Sequence, residues 1–446
     1  MWVRVPPLAP KGEIMEYGVR LDFELNQLNQ HLARASIIVP QDLVHTLFNH
    51  TAQLQQNSIN TYGFSQGKTP LAYIKNHYKA SILNHTKEIL LKYIVMKFLY
   101  DQLYIANYCV VGMPRILDIK IEPDKDAHFC FEVSLFPLLD FKEWKHFPFK
   151  APKRKQYKDI DRQVDFFIEQ ETEALEKNSS NSIAIGDWVF FDISFTDSAQ
   201  QHLLKNHHES LWLKIGNEEV DEPIRNLFLD KKIGDEFFAT NACVQLYFSP
   251  YLAIHHLFFI KICYIVPHAY FSFNDFKDHF KVKTNKEMHQ KLIEVFSFRD
   301  DISQRRAMAE EACKLLLTKH PFDIPNHFIL REKELVLEEI HNNPDYLVYK
   351  AEKNFENYIQ RLATKRVKEK IIIDQIALQE QLSTSPRDIH LYVNLLKRAR
   401  TKEFIYFCLP FTKINGQEAP ISSSIMHQCC VREKTLNHII YHLTKK

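Results

Sequence analysis

Apolar and polar positions follow three successive patterns along the chain, and the first of them is α+β. Apolar residues alternate with polar ones over residues 17–25, 33–39 and 127–136, which predicts strands. Between the second and third of these segments, over about residues 42–56 and again from residue 71, the apolar spacing is helical. This order predicts a small sheet with helices on one side.

The second pattern, over about residues 181–267, is rich in β-type residues. Residues 185–193 and 257–266 predict long strands, and Gly234-Asp235 predicts a turn that leads into another strand. We therefore expect a compact antiparallel β unit in the middle of the chain.

The third pattern is helical and extends from about residue 270 to the end. Thr284 followed by Glu287 has the spacing of a capping box, which marks the start of a helix. Ser385 followed by Pro386 marks another start, with serine as the cap and proline at the first helical position. Residues 355–382 carry apolar side chains at helical spacing with lysines and arginines between them.

A chain of 446 residues is too long for one ordinary core. We predict a multidomain α+β protein with a leader at 1–14, an α+β domain at 15–140, a linker and helix at 141–180, an antiparallel β domain at 181–267 and an elongated all-helical domain at 268–446. The leader has no periodicity and no apolar stretch of the kind that a secretory signal needs. We interpret it as disordered or as wrongly assigned coding sequence, with translation beginning at Met15.

Composition narrows the class of protein. A hydrophobic content of 45% with 25% charged residues is typical of a globular chain. The formal net charge of +2 gives no global field for nucleic acid, so we expect no DNA partner. No apolar run reaches the ~18–20 residues that a membrane span requires, so we expect no membrane partner. The eight cysteines lack any disulfide-framework spacing, which favours a cytoplasmic location.

The stretch between the first two predicted helices is the most specific feature. It holds two glycines, a proline and an isolated phenylalanine, which predicts a tight, exposed loop. Its residues are Gly63, Phe64, Ser65, Gln66, Gly67, Lys68, Thr69 and Pro70. A phenylalanine at such a tip costs solvation unless it meets a partner. The loop is therefore either a docking element or an ordinary connection with Phe64 turned inward.

This loop resembles the signature loop of trigger factor, the ribosome-associated bacterial chaperone, whose pattern is Gly-Phe-Arg-Lys-Gly-Lys-x-Pro. In that family the phenylalanine inserts into protein and RNA at the tunnel exit, and the Arg-Lys pair faces RNA phosphate. The resemblance implies ribosome binding by Gly63, Phe64, Ser65, Gln66, Gly67, Lys68 and Pro70. Because Ser65 and Gln66 replace the Arg-Lys pair, we expect weaker binding, or binding supplemented by the basic linker at 150–158.

The β unit resembles the FKBP-type prolyl isomerase domain of trigger factors. The matching landmarks are Gly186-Asp187, Ile215-Gly216 and the segment 232–237. Such a pocket lowers the barrier to rotation of a prolyl bond by desolvating it among apolar walls. The resemblance implies these pocket candidates: Ile193, Ile224, Tyr247, Tyr251 and Phe259.

The expected pocket is degraded, so no residue is assigned as catalytic. Asp221 and Glu222 stand near its apolar floor, where an uncompensated carboxylate opposes burial of a proline ring. Ile193 stands where an aromatic residue is usual. We therefore expect weak or lost isomerase activity.

The segment 322–330 resembles the one that opens a long arm helix in trigger factors, which implies a helical C-terminal domain that binds nascent or unfolded chains. Two alternatives remain open: a ribosome-independent holdase or assembly chaperone, and a protein that is chiefly a prolyl isomerase. We expect ribosomal protein and RNA near the exit tunnel as partners, and a monomer or weak dimer. We expect no cofactor and no metal, although His202, His207 and His208 lie close in sequence beside Glu209.

Overall fold

The structure is a computed structural model, and it describes residues 21–445 with several gaps. The gaps are 107, 137–138, 140, 142, 153–158, 179–181, 205–207, 242–243, 246, 248–255, 300–301, 342–345, 410–412 and 415. The predicted leader, the proposed start at Met15, most of the basic linker, His207 and Tyr251 lie outside the described residues. Among the described helices, none is both long and apolar enough to cross a membrane.

The first sheet is antiparallel, as the alternating pattern predicts. Its strands are β1 (Asp22–Asn29), β2 (Leu32–Val39), β3 (Cys109–Val110), β4 (Arg115–Lys120) and β5 (Ala127–Phe136). The order is β1-β2-β5-β3, and β4 also pairs with β5. The central strands bury every second side chain, so Ala33, Ala35, Ile37 and Val39 form one apolar face.

Helices cover the residues between β2 and β3, as predicted. They are α1 (Gln41–Ser58), α2 (Leu71–His77), α3 (Lys79–Ile89) and α4 (Met96–Ile105), with a π-helical stretch at Leu90–Val95. Phe48 and Ala52 on α1 pack against Ile74 on α2 and Ile82 on α3. This small cluster holds the two ends of the predicted loop.

The second sheet contains the long strands predicted for the middle of the chain. Its strands here are β6 (Trp188–Thr196), β7 (Glu209–Lys214), β8 (Glu236–Ala239) and β9 (Leu257–Val266). A 3₁₀ turn at Glu219–Asp221 leads into α6 (Glu222–Phe228), and α5 (Ile160–Lys177) precedes the sheet in the chain. Gly234 has φ +90°, the left-handed conformation that the predicted turn before β8 requires of a glycine.

The rest of the chain is mainly helical, as expected. The helices are α7 (Phe273–Phe280), α8 (Asn285–Phe296), α9 (Gln304–Lys319), α10 (Asn326–His341), α11 (Tyr346–Lys350), α12 (Phe355–Gln379), α13 (Pro386–Leu396), α14 (Ala399–Lys402) and α15 (Ser423–Thr444). Both predicted caps are present: Thr284 accepts from the Glu287 N–H, and Ser385 accepts from the Asp388 N–H.

Short strands interrupt these helices, and none of them was predicted. They are β10 (Phe298–Arg299), β11 (Ile302–Ser303), β12 (Lys413–Ile414), β13 (Gln417–Glu418) and β14 (Ile421–Ser422). The last of them, β14, pairs antiparallel with β7, so the order of the second sheet is β14-β7-β6-β9-β8. Two residues give too short a pattern to reveal a strand from sequence.

The chain falls into two compact units, each built from several stretches. The first comprises Met1–Phe136, Asp192–Ser210 and Glu236–Lys261. The second comprises Pro137–Phe191, Leu211–Asp235 and Ile262–Lys446. The α+β multidomain class is confirmed, whereas the domain boundaries given above stay a prediction.

Candidate functional site

The loop between α1 and α2 is a fixed turn. The Phe64 N–H donates to the Thr61 carbonyl at 3.0 Å, and the Lys68 N–H donates to the Ser65 carbonyl at 2.9 Å. Gly63 and Gly67 have φ +84° and +74°, a region that favours glycine, so both turns depend on these residues. The predicted tight loop is present, and its backbone is held by local hydrogen bonds.

Side chains also join the base of this loop to α1. The Gln66 side-chain amide donates to the Asn57 carbonyl at 3.3 Å, and the Gln56 amide donates to the Thr69 carbonyl. Gln66 therefore contributes a contact within the protein. Lys68 is exposed.

Aromatic rings continue from the loop onto α2. Phe64 is 42% exposed, and its ring centroid lies 5.9 Å from that of Tyr73, which is 40% exposed. The Tyr73 ring in turn stacks on His77 at 5.2 Å. Because the Phe64 ring is exposed and not turned inward, the structure favours the interpretation of the loop as a docking element. We call Phe64, Tyr73 and His77 the ring row.

The structure places the isomerase-pocket candidates in different elements. Ile193 is on β6 and Phe259 is on the neighbouring strand β9, whereas Ile224 is on α6. Ile193 and Ile224 are buried, and Phe259 and Tyr247 are half-buried. The Ile193 carbonyl accepts from the Tyr93 hydroxyl at 3.4 Å, and the Tyr247 carbonyl accepts from the Lys92 ammonium at 3.2 Å. The roles of these residues stay a prediction.

Asp221 is fully buried, and its carboxylate accepts hydrogen bonds from the backbone. Oδ2 accepts from the Glu218 N–H at 3.3 Å, and Oδ1 accepts from the Glu418 N–H at 2.8 Å. Glu418 belongs to β13, three residues before the start of β14, the strand that joins the sheet edge. This carboxylate is therefore compensated by partners in its own turn and in the C-terminal region.

Gly216 lies directly against this carboxylate. A Cβ atom at position 216 would lie 1.9 Å from Asp221 Oδ2, so only glycine leaves room for it. Arg225 closes the same turn by donating to the Gly216 and Glu218 carbonyls at 3.3 and 3.1 Å. The turn that should form a pocket floor is filled by a charged, hydrogen-bonded cluster.

His202, one of the histidines that suggested a metal site, has other partners. The His202 ring lies 2.9 Å from the Ser194 hydroxyl through Nδ1 and packs on Phe259 at 5.1 Å. Across the described part of the chain, no three His, Cys, Asp or Glu side chains are arranged to hold a metal ion.

Burial raises the pKa of Cys429 to about 11, which keeps this thiol protonated and unreactive near neutral pH.

Helices α10 and α12 form an arm in the second compact unit. Val336, Phe355 and Ile359 make its buried seam. Lys333–Glu356 at 2.6 Å and Lys370–Glu332 at 2.6 Å add ion pairs across it. Helix α11 lies between these two helices in the chain and is counted with the arm. Apolar side chains outside the seam remain exposed along the arm: Leu330, Leu335, Leu347, Val348, Tyr349 and Tyr358.

Comparisons with known proteins identify the family. The model of the bacterial trigger factor protein matches residues 21–170, and the model of the trigger factor C-terminus matches residues 284–401, so together they cover more than half of the chain. The chain belongs to the trigger factor family. The resemblance drawn from the loop is thereby confirmed, and so is the chaperone class.

Individual trigger factors match at low identity over most of their length. That of Rickettsia canadensis is 23% identical over 342 residues, covering 73% of each chain. That of Helicobacter pylori is 22% identical over 389 residues, covering 83% of this chain and 84% of its own. A solved structure of the trigger factor chaperone aligns with 94% of this chain at 12% identity. Its TM-score of 0.36 is too low to carry an argument.

Two features of the candidate sites were not predicted from the sequence. Tyr73 and His77 are four residues apart on a helix next to the loop, a spacing that places them on one face and is visible in the sequence. The contact of Asp221 with Glu418 joins residues 197 positions apart, and no sequence signal reports it.

Proposed function

We propose that this trigger factor binds nascent or unfolded polypeptides while docked near the ribosomal exit tunnel through the loop at 63–70. One observation carries the docking part: a fixed loop, anchored by hydrogen bonds at its base, presents the Phe64 ring to solvent. An exposed aromatic at a preorganised tip favours association because little conformational entropy is lost on binding. The place of action that this implies is the cytoplasm.

The arm supports the polypeptide-binding part of the proposal. Its exposed leucine, valine and tyrosine side chains offer apolar contacts to a client, and in this proposal the binding is weak and reversible. Burial of a client's apolar segment on such a surface removes it from aggregation while release stays spontaneous.

Isomerase activity is weak or lost in this proposal. The turn that carries Asp221 is closed by hydrogen bonds from the Glu218 and Glu418 N–H groups, so a polar side chain fills the turn for which the resemblance implies an apolar floor. Transition-state stabilisation of a twisted prolyl bond needs an apolar, desolvated pocket.

The docking part is tested by co-sedimentation of the full chain with bacterial ribosomes. We expect Phe64→Ala to weaken binding about tenfold or more, because aromatic anchors at such tips carry much of an interface's energy. Phe166→Ala is the matched control, since Phe166 is also an exposed phenylalanine and lies on α5. Wild-type protein that stays in the supernatant at low salt would overturn ribosome docking.

A second candidate, the ribosome-independent holdase, is favoured by one observation. Gln66 is engaged with Asn57 and Ser65 carries no charge, so the loop has lost the cationic pair that faces RNA in the family. In that case the protein would suppress aggregation of an unfolded client equally well with and without Phe64. The co-sedimentation experiment separates the two candidates.

A further inference from the structure

The ring row is the part of the docking surface that the family resemblance does not explain. Phe64, Tyr73 and His77 follow one another at centroid separations of 5.9 and 5.2 Å. Tyr73 and His77 are nearly parallel, with 19° between their planes. All three rings are exposed at the surface. Tyr73 and His77 already stack on each other, and the exposed parts of the three rings lie where a further flat ring could extend the stack.

The segment of the chain that carries the ring row has charged side chains of one sign. The segment from Leu43 to Lys87 contains no aspartate and no glutamate, whereas it contains four lysines. They are Lys68, Lys75, Lys79 and Lys87. The chain as a whole has nearly equal numbers of acidic and basic residues, so this acid-free stretch departs from the average. Such a segment attracts an anionic partner and repels a cationic one.

Exposed rings interleaved with lysines match the chemistry of single-stranded nucleic acid. In proteins that bind single strands, bases stack on aromatic side chains while cations follow the phosphates. A double helix hides its base faces, so it offers the ring row nothing to stack on. A protein partner would also contact the rings, but it does not in general require a segment without acidic residues.

We propose that the ring row is a stacking platform for unpaired RNA bases at the docking site, and that it compensates for the cations missing at Ser65 and Gln66. This inference rests on the proposed ribosome docking. Removal of a ring on which a base stacks weakens binding about fivefold or more. Base stacking does not release counterions, so affinity gained in this way depends less on salt than affinity gained from phosphate contacts.

The test uses the full chain and a fluorescein-labelled single-stranded RNA of about twelve nucleotides, followed by anisotropy across a potassium chloride series. We expect Tyr73→Ala and His77→Ala each to weaken binding by about fivefold or more, and Tyr73→Phe to retain it because the ring face remains. Tyr104→Ala is the matched control, since Tyr104 is an exposed tyrosine on α4. The same RNA annealed into a duplex should bind more weakly than the single strand.

The same variants in ribosome co-sedimentation separate this inference from the proposed function. If Phe64→Ala abolishes ribosome binding while Tyr73→Ala and His77→Ala change neither ribosome nor RNA binding, the stacking platform is overturned and docking through a ribosomal protein stands. If wild type fails to bind ribosomes but binds single-stranded RNA through Tyr73, the platform is supported and ribosome docking falls. Equal binding of single strand and duplex would overturn stacking in favour of phosphate contacts alone.

Discussion

Three buried histidines form a cluster in the first compact unit: His50 on α1, His85 on α3 and His256 just before β9. The Nε2 atoms of His85 and His256 lie 2.7 Å apart with their rings nearly parallel, and the His50 ring lies 5.5 Å from that of His256. A hydrogen bond between two Nε2 atoms requires that one of them be unprotonated. The arrangement of the cluster therefore requires that the His85 and His256 rings are not both protonated.

Acid should destabilise the first compact unit through this cluster. Burial lowers the pKa of His50 from 6.5 to about 4, with the Asp197 carboxylate opposing part of the shift. Between pH 6.5 and about 4, His50 is protonated in the unfolded chain and neutral in the folded chain. The contribution of His50 to the free energy of unfolding is therefore fully present above pH 6.5 and is lost as the pH falls to about 4. The expected loss is about 3 kcal/mol.

Urea unfolding at several pH values between 4 and 7.5 measures this effect. His50→Gln keeps a polar side chain that cannot titrate in this range, so we expect the variant's free energy of unfolding to fall less steeply with acid than that of wild type. His45→Gln is the control, since His45 is exposed on the same helix. Parallel pH profiles for wild type and His50→Gln would contradict the expectation.

At the scale of elements, the sequence predicted those strands and helix starts that depend mainly on residues close together in the chain. The alternation over 127–136 and the apolar run over 257–266 coincide with β5 and β9, and the caps at Thr284 and Ser385 are both formed. Strand β14 was missed, because a two-residue strand is fixed by its partner β7 and not by its own pattern. The partners of Asp221 were missed for the same reason: Glu418 is close only in the folded chain.

The turn at Gly216 yields a prediction at this scale. Gly216→Ala places a Cβ atom 1.9 Å from Asp221 Oδ2, so the carboxylate must move and lose its backbone donors. We expect a loss of about 1–3 kcal/mol in the free energy of unfolding. Asp221→Ala alone should also destabilise, because the buried Glu418 N–H loses its acceptor.

The double variant Gly216→Ala/Asp221→Ala decides whether the overlap is the cause. Removing the carboxylate makes room for the new methyl group, so the double variant should be more stable than the sum of the two single losses implies. Additive losses would show that the glycine is needed for another reason. Chemical denaturation of the four proteins supplies the cycle.

For the whole molecule, the loop was the most specific signal of the family in the sequence, whereas the arm surface is set by tertiary structure. Phe64 and the two glycines that shape its turn lie in one short stretch of sequence, so the motif can be recognised without knowledge of the tertiary structure. The arm surface depends on which apolar residues the seam of Val336, Phe355 and Ile359 leaves uncovered. Helical periodicity alone does not distinguish a seam residue from an exposed one when both faces carry leucines.

The exposed residues of α11 give the final prediction. Leu347 and Val348 are 75% and 67% exposed, so replacing both with serine removes client-binding surface without opening the core. We expect Leu347→Ser/Val348→Ser to reduce suppression of aggregation of a chemically unfolded client several-fold, with an unchanged thermal midpoint and unchanged ribosome co-sedimentation. The matched control is Phe166→Ser/Leu175→Ser, which removes exposed apolar side chains from α5. Equal loss in both double variants would mean that general surface hydrophobicity, and not the arm, protects the client.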